Sequence, residues 1–424
     1  MRAPNLQINI PIAMQCLSSA FRYLFLAFIC ISLDNVKADE MPETFTPVRP
    51  LGMGGAFTAI SNDESAVWTN PAGISRIRKA RSRKGLHALS FPFIAGTNSE
   101  GRNAYTKFKA IKGSSDGDNA EVISEAAAAL GNKPFWVRAA FNPLVVFELK
   151  KGSPATFGAF SDNKTQIIVD SESESADVKA IFDTGVNLGF GFSNRTNRLN
   201  FGFQVRPTYR YSYDDKIALA TLIDKTAFSE EVTNNSNKGI GTAVDVGGMF
   251  TMADFWFPTF AFSVLNVPTG CQDNYLNPFD ETRHTICGTK FGGTVKNPEA
   301  LSTVDPTDVR VGLSITPRLS RDVGFRLALD AHNLYFNSGD TYYGLPGIEP
   351  SKQLHAGLEL FFGNPLLINP TTFRVGYNQG FITFGASLRA SFFSIEFASY
   401  GKDVSTTATR QEDRRSLLKF SFEL

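Results

Sequence analysis

The chain has 424 residues, 42% hydrophobic and 20% charged, with a formal net charge of +1. A mean hydropathy of −0.11 excludes a bundle of membrane helices, which needs repeated apolar runs of about 20 residues, and near-neutrality excludes a nucleic-acid binder, which shows a basic excess. The 38 Phe, 11 Tyr and 35 Gly against 3 Trp point to many strands with one greasy face and one polar face.

The chain opens on a targeting segment. Its long apolar run, 23–33 (YLFLAFICISL), follows Arg22. It is too short to span a bilayer but fits a secretory core, and Val36-Lys37-Ala38 reads as a cleavage site. Residues 1–38 are therefore assigned as a signal peptide, with Met14 as an alternative start. Two of the four cysteines, Cys16 and Cys30, leave with it.

Residues 39–80 are too apolar for a free tail and too few for a domain. Ala59, Ile60, Ala66, Val67 and Trp68 need cover, while Gly52, Gly54 and Gly55 permit close backbone approach and positive φ. Pro71 holds Asn70 extended. A plug packed against the inside of a barrel satisfies both demands.

From residue 81 onward the pattern has period two. In 199–213 (LNFGFQVRPTYRYSY), Leu199, Phe201, Phe203, Val205, Tyr209, Tyr211 and Tyr213 share one face, and Asn200, Gln204, Arg206 and Arg210 the other. Unbroken alternation over this length is a strand about twice the usual size. The clustered tyrosines suit an interfacial girdle. Fourteen candidates follow, at 86–95, 136–150, 154–161, 178–193, 198–213, 240–252, 255–267, 308–317, 322–332, 353–362, 371–378, 381–388, 391–400 and 415–424. Connections after even strands are short. Those after odd strands are long, except Gln379-Gly380. Short turns on one side, long loops on the other and an even count make an all-β fold: a transmembrane antiparallel barrel of about 14 strands in a Gram-negative outer membrane. It would occupy 81–424, with 39–80 as an N-terminal lumenal hatch. A final strand that stops on its apolar face fits this layout. Residues 119–130 (NAEVISEAAAAL) read as a short helix in the first long loop.

The polar face carries charge. Arg206, Arg210, Asp245, Arg310, Arg326, Asp330, His355, Glu359, Arg374 and Glu396 face the lumen, because a charge on the lipid face costs roughly 2–4 kcal/mol at midplane. Their mixed signs fit a solvated lumen whose pairs hold the hatch, or a route for a ligand head group. Cys271 and Cys287 fall in one long polar loop of an exported chain, which points to a disulfide. His284 lies between them, but three mixed ligands are too few for a metal site. No elbow, metal-protease or phosphate-loop motif occurs, so neither catalysis nor a cofactor is expected.

Gly52-Met53-Gly54-Gly55-Ala56-Phe57, then Asp63-Glu64, then Trp68-Thr69-Asn70-Pro71-Ala72-Gly73 resemble the N-terminal signature of FadL-like outer-membrane barrels. The GMGGAF form is similar to the PorV-like branch. Leu354–Glu359, Arg374–Gly380 and Phe397–Gly401 add to the likeness, while 96–300 rest on pattern alone. The resemblance implies a lumenal hatch whose signature residues lie near any ligand. It also implies uptake of hydrophobic small molecules such as fatty acids, entering from the long loops and leaving through a gap in the wall. The alternatives are a PorV-like scaffold whose extracellular loops hold a protein of a secretion or surface-assembly system, and a structural surface barrel. Membrane lipid is the surround in each case.

Overall fold

The computed structural model describes residues 45–77, 86–100, 134–150, 153–170, 175–223, 225–276, 283–296, 303–320, 322–334, 337–338, 341–342, 350–363, 371–390, 392–404 and 411–423. The signal peptide and the helix expected at 119–130 lie outside them.

Fourteen antiparallel strands form a closed barrel. They are β1 (Leu86–Asn98), β2 (Pro134–Phe141 with Leu144–Lys150), β3 (Ser153–Asp170), β4 (Ser175–Ser193), β5 (Leu199–Ala218), β6 (Asn237–Thr251) and β7 (Thr259–Leu265). The second half comprises β8 (Asp308–Ile315), β9 (Val323–Ala331), β10 (Leu354–Phe362), β11 (Thr371–Asn378), β12 (Phe381–Ala390), β13 (Phe393–Asp403) and β14 (Glu412–Glu423). Each pairs with its chain neighbour, and β14 closes on β1 from Ser90↔Glu423 to Asn98↔Arg415. Closure leaves no open edge, which lipid would not tolerate.

Alternation sorts the side chains. Phe93, Phe192, Phe201, Phe262, Phe373 and Phe422 stand exposed on the outer face, while Gln204, Asp245, Glu359 and Thr383 on the inner face are fully buried. Apolar outside, polar inside, even-stranded and closed: this is an outer-membrane barrel.

Four expectations about the strands need correction. β3 runs to Asp170, not 161, so the long connection placed at 162–177 shrinks to 171–174. β3, β4 and β5 have 18, 19 and 20 residues and rise beyond the apolar belt. There the outward positions Ser161, Asn163 and Thr165 need no greasy side chain, and the alternation signal fades. The tyrosine girdle is partial. Tyr209 stays exposed, but Tyr213 is 1% exposed. It packs with Val178 and Ile217 against Phe228 and Val232 of the helix Lys225–Asn235, and the Tyr211 hydroxyl donates to the Val232 carbonyl. Residues 255–258 are turn rather than strand, with Trp256 and Phe257 at φ 57° and 48°. Finally, the loop at 268–307 has structure of its own. Gly270–Leu276, Arg283–Lys290 and Val304–Pro306 join Asn337–Ser338 and Thr341–Tyr342 in a five-stranded sheet. Cys271 and Cys287 are disulfide-bonded across its first pair.

Gln379-Gly380 is a two-residue turn with φ of 51° and 95°. Two positive φ values match the twist of the flanking strands, so this one connection on the long-loop side can be tight.

Candidate functional site

Residues 45–77 fill the lumen. Val48–Gly52 is a single helical turn, Ala66–Thr69 another, and Pro71–Arg76 a short 3₁₀ helix. So little regular structure means the hatch is held by its contacts with the wall.

Glycine sets the first contact. Gly54 and Gly55 have φ of 66° and 88°, a region L side chains rarely occupy. A Cβ on Gly54 would lie 2.4 Å from the Tyr377 nitrogen and 2.6 Å from the Ala356 oxygen. The wall answers with glycines of its own: the Cα of Gly385 would lie 3.0 Å from a Cβ on Gly52, and a Cβ on Gly357 would lie 2.5 Å from the Met53 oxygen. Hatch backbone thus rests on strand backbone of β10–β12.

The second contact is at Asn70 to Gly73. The Asn70 side chain accepts from the Ala72 N–H at 3.0 Å and donates to the Thr58 carbonyl at 3.0 Å. Pro71 follows at the first helical position, where its missing N–H costs nothing. Gly202 and Gly247 make room opposite: Cβ atoms there would sit 2.1 Å from the Pro71 oxygen and 2.0 Å from Asn70 Oδ1. Met53 and Phe57 pack with Ile60 and Ala328, and Ala72 with Met249 and Ala261. A Cβ on Gly73 would press on Ser61.

The structure places the ten lumen charges on the inner wall, most of them in pairs. Glu359 is the hub. It accepts from Arg49 on the hatch at 2.9 and 2.8 Å, from Arg374 at 2.9 Å, and from Arg326. Arg49 also donates to Asp63, at 2.5 Å, and to Asn62, and lies over the Phe57 ring. Asp330 accepts the Phe57 and Thr58 N–H groups at 2.8 and 2.7 Å. His355 Nδ1 sits 2.7 Å from the Gly54 carbonyl. Arg206 pairs with Asp245 at 3.1 Å and covers the Trp68 ring. Arg210 joins Asp183 to Asp305, and Arg310 pairs with Asp308 at 2.6 Å. Glu396 shares Lys419 with Glu64 of the hatch.

Arg49 and Lys419 were not singled out from the sequence, and Glu64 entered only as half of the acidic pair of the signature. Lys419 alternates with Leu418 and Phe420, which was signal enough to turn it inward. Arg49 and Glu64 sit in irregular chain, where no periodicity assigns a side. On the hatch, burial works against charge, but Arg49 prevails over it and holds the Asp63 carboxyl below its usual range. For Glu64, burial prevails despite Lys419, and its carboxyl is raised, with Asp63, Glu423 and Glu396 adding to the effect.

The opposite wall is mostly apolar, with one buried ion pair, Arg138–Asp162, whose arginine also donates to the Thr46 carbonyl and lies over the Phe45 ring. Phe45, Val48, Leu51, Val67, Trp68 and Ile74 of the hatch share one core with Ile94 of β1, Trp136, Ala140 and Leu144 of β2, Phe160 of β3 and Leu417 of β14. Trp68 stacks on Phe45 and meets Phe160 edge-on, at centroid distances of 4.2 and 5.0 Å.

Beside this core the wall lacks two rungs. Asn142 N–H donates to the Pro92 carbonyl, and Ala159 N–H to the Pro143 carbonyl. Neither proline has an N–H to return, so the Asn142 and Ala159 carbonyls miss their ladder partners. β2 is interrupted at this point, between Phe141 and Leu144. Just above it, on the outer face, a groove of about 350 Å³ runs between Phe93, Phe141 and Phe420 over Ala95 and Ala139.

Neither a protein-family model nor a curated protein matches the sequence. Among solved structures, the chain is similar to the Ralstonia pickettii toluene transporter TbuX, with 12% identity over 90% of this chain and 98% of that one and a TM-score of 0.49. It is similar to the Pseudomonas putida toluene transporter TodX at 12% identity over 91% and 99%, with a TM-score of 0.48. A Pseudomonas aeruginosa FadL homologue follows at 10% identity over 91% and 99%, with a TM-score of 0.34.

Proposed function

We propose that the barrel admits small hydrophobic molecules across the outer membrane. The solute enters from the long loops, passes along the apolar face of the hatch, and leaves sideways through the wall at Pro92 and Pro143. One coincidence carries the reading: the apolar inner wall, the two missing rungs and the outer groove all fall on β1–β3. A closed ladder resists lateral passage because every opened hydrogen bond is lost in lipid. Here two were never made. The GMGGAF…NPAG signature supports a FadL-like reading, and the PorV-like alternative draws on the same residues together with the disulfide-clamped loop sheet.

The test restores the rungs. Cells expressing the barrel should take up the hydrophobic fluorophore N-phenyl-1-naphthylamine faster than cells lacking it. Pro92→Ala with Pro143→Ala returns both donors, each worth about 1 kcal/mol, and should slow entry roughly thirtyfold. Entry no faster than in cells without the barrel would overturn the uptake reading. Entry unchanged in the double variant would overturn the lateral exit.

A further inference from the structure

Between the upper surface of the hatch and the long-loop ends of β8, β9 and β11, the lumen keeps a cavity of about 60 Å³. That is room for roughly four water-sized groups, so it fits one end of a solute rather than the whole. Gly55 and Thr69 form its floor; Asp308, Arg310, His332 and His355 stand around it.

Its walls accept hydrogen bonds. Among the described lining residues Arg310 is the one Lys or Arg, and both its Nε and Nη2 are engaged by Asp308 at 2.6 Å. Asp305, also in the lining, is taken by Arg210. The Gly54 carbonyl can only accept, so the His355 nitrogen facing it at 2.7 Å carries the proton. In that tautomer Nε2 is a lone pair. It has no partner, on a side chain 5% exposed. His332 stacks on the same ring at 4.0 Å.

We propose that this cavity is a head-group subsite for the uncharged, hydrogen-bond-donating end of an otherwise apolar solute, such as a hydroxyl or primary amide, and that it turns carboxylates away. The proposal rests on the uptake reading and narrows its substrate class. A carboxylate would meet Asp305, Asp308 and an acceptor nitrogen, and among the described lining residues the one guanidinium, Arg310, is already paired with Asp308. A hydroxyl would supply the missing donor, and a buried acceptor left without one is costly.

The test compares three probes of equal chain length on the full mature protein in nanodiscs, titrated calorimetrically against empty nanodiscs. 1-Octanol should bind about tenfold more tightly than octyl methyl ether, which cannot donate, or octanoate. His355→Phe keeps the ring stack, removes the acceptor, and should erase the preference for octanol. Asp308→Asn frees Arg310 and should raise octanoate affinity, a gain that misfolding cannot imitate. Equal binding of all three probes to the native barrel would overturn the subsite and leave the uptake reading standing. No binding of any probe, together with no fluorophore entry, would overturn both.

Discussion

The hatch meets the barrel through two unlike faces. Toward β1–β3 it offers Phe45, Val48, Val67 and Trp68 to a mostly apolar wall, where Arg138, paired with Asp162, is the one charged contact the described residues show, at Thr46 and Phe45. Toward β10, β13 and β14 it offers Arg49 and Glu64 to Glu359, Glu396 and Lys419. Apolar contact has no direction and tolerates repacking. Buried ion pairs have strict geometry, and separating them strands a charge. The hatch is therefore pinned on one side and able to yield on the other. The yielding side is the one backed by Pro92 and Pro143, which is why a solute entering between hatch and wall would be directed there.

The largest effect should come from the pinned side. Glu359→Ala leaves Arg49, Arg326 and Arg374 around an empty position. Removing one member of a buried pair costs about 3–5 kcal/mol, and this variant takes the carboxylate from Arg326 and Arg374 at once while Arg49 keeps Asp63, which puts it at the upper end. Urea unfolding in vesicles reads it. A loss below about 1 kcal/mol would show that water already reaches these charges and that they do not pin the hatch.

Trp68→Ala acts on the yielding side. It deletes the stack on Phe45, the edge contact with Phe160 and the ring beneath Arg206. Truncating a buried aromatic costs about 3 kcal/mol when neighbours cannot collapse. The loss should fall on hatch docking. Amide exchange in 56–73 should quicken while β8–β12 stay protected. Equal quickening across the strands would mean that hatch and barrel share one core and the two faces are not separate.

How much of this was written in the sequence follows from the same division. The strands were legible because lipid demands apolar side chains on one face at period two, and all fourteen were found. The signal failed where lipid does not reach, at the upper part of β3 with outward Ser161, Asn163 and Thr165, and at the Phe255–Phe257 turn, where aromatics sit outside a strand. The glycines of the hatch announced close contact, and Gly54 shows it. Arg49 and Glu64 were illegible because irregular chain has no period to orient them. Pro92 and Pro143 were readable and went unused: proline inside a strand belongs at an edge or an irregularity, and a closed barrel has no edge.

The smallest effect concerns the two neighbouring acids of the hatch, which respond to pH in opposite directions. Asp63 has its carboxyl held low by Arg49 against burial. Its contribution is present above the ordinary Asp value of about 3.9 and is lost only as pH falls below that. Glu64 has its carboxyl raised by burial. Its contribution is full below the ordinary Glu value of about 4.3 and is lost as pH rises through the folded value. Above the ordinary Glu value of about 4.3, where Asp63 is silent, Glu64 alone of the two gives a slope, and docking should loosen as pH rises through its raised folded value. Glu64→Gln removes that slope. At neutral pH it should change docking by no more than about 1 kcal/mol, because glutamine still accepts from Lys419 and Glu396 still neutralises it. Amide exchange in 56–73, corrected for intrinsic rates across this range, reads the native protein and the variant. A slope that survives in Glu64→Gln would place the titrating group elsewhere in the lumen, and a flat native profile would show that Lys419 keeps Glu64 ionised throughout, making the contact at β14 as firm as the one at Glu359.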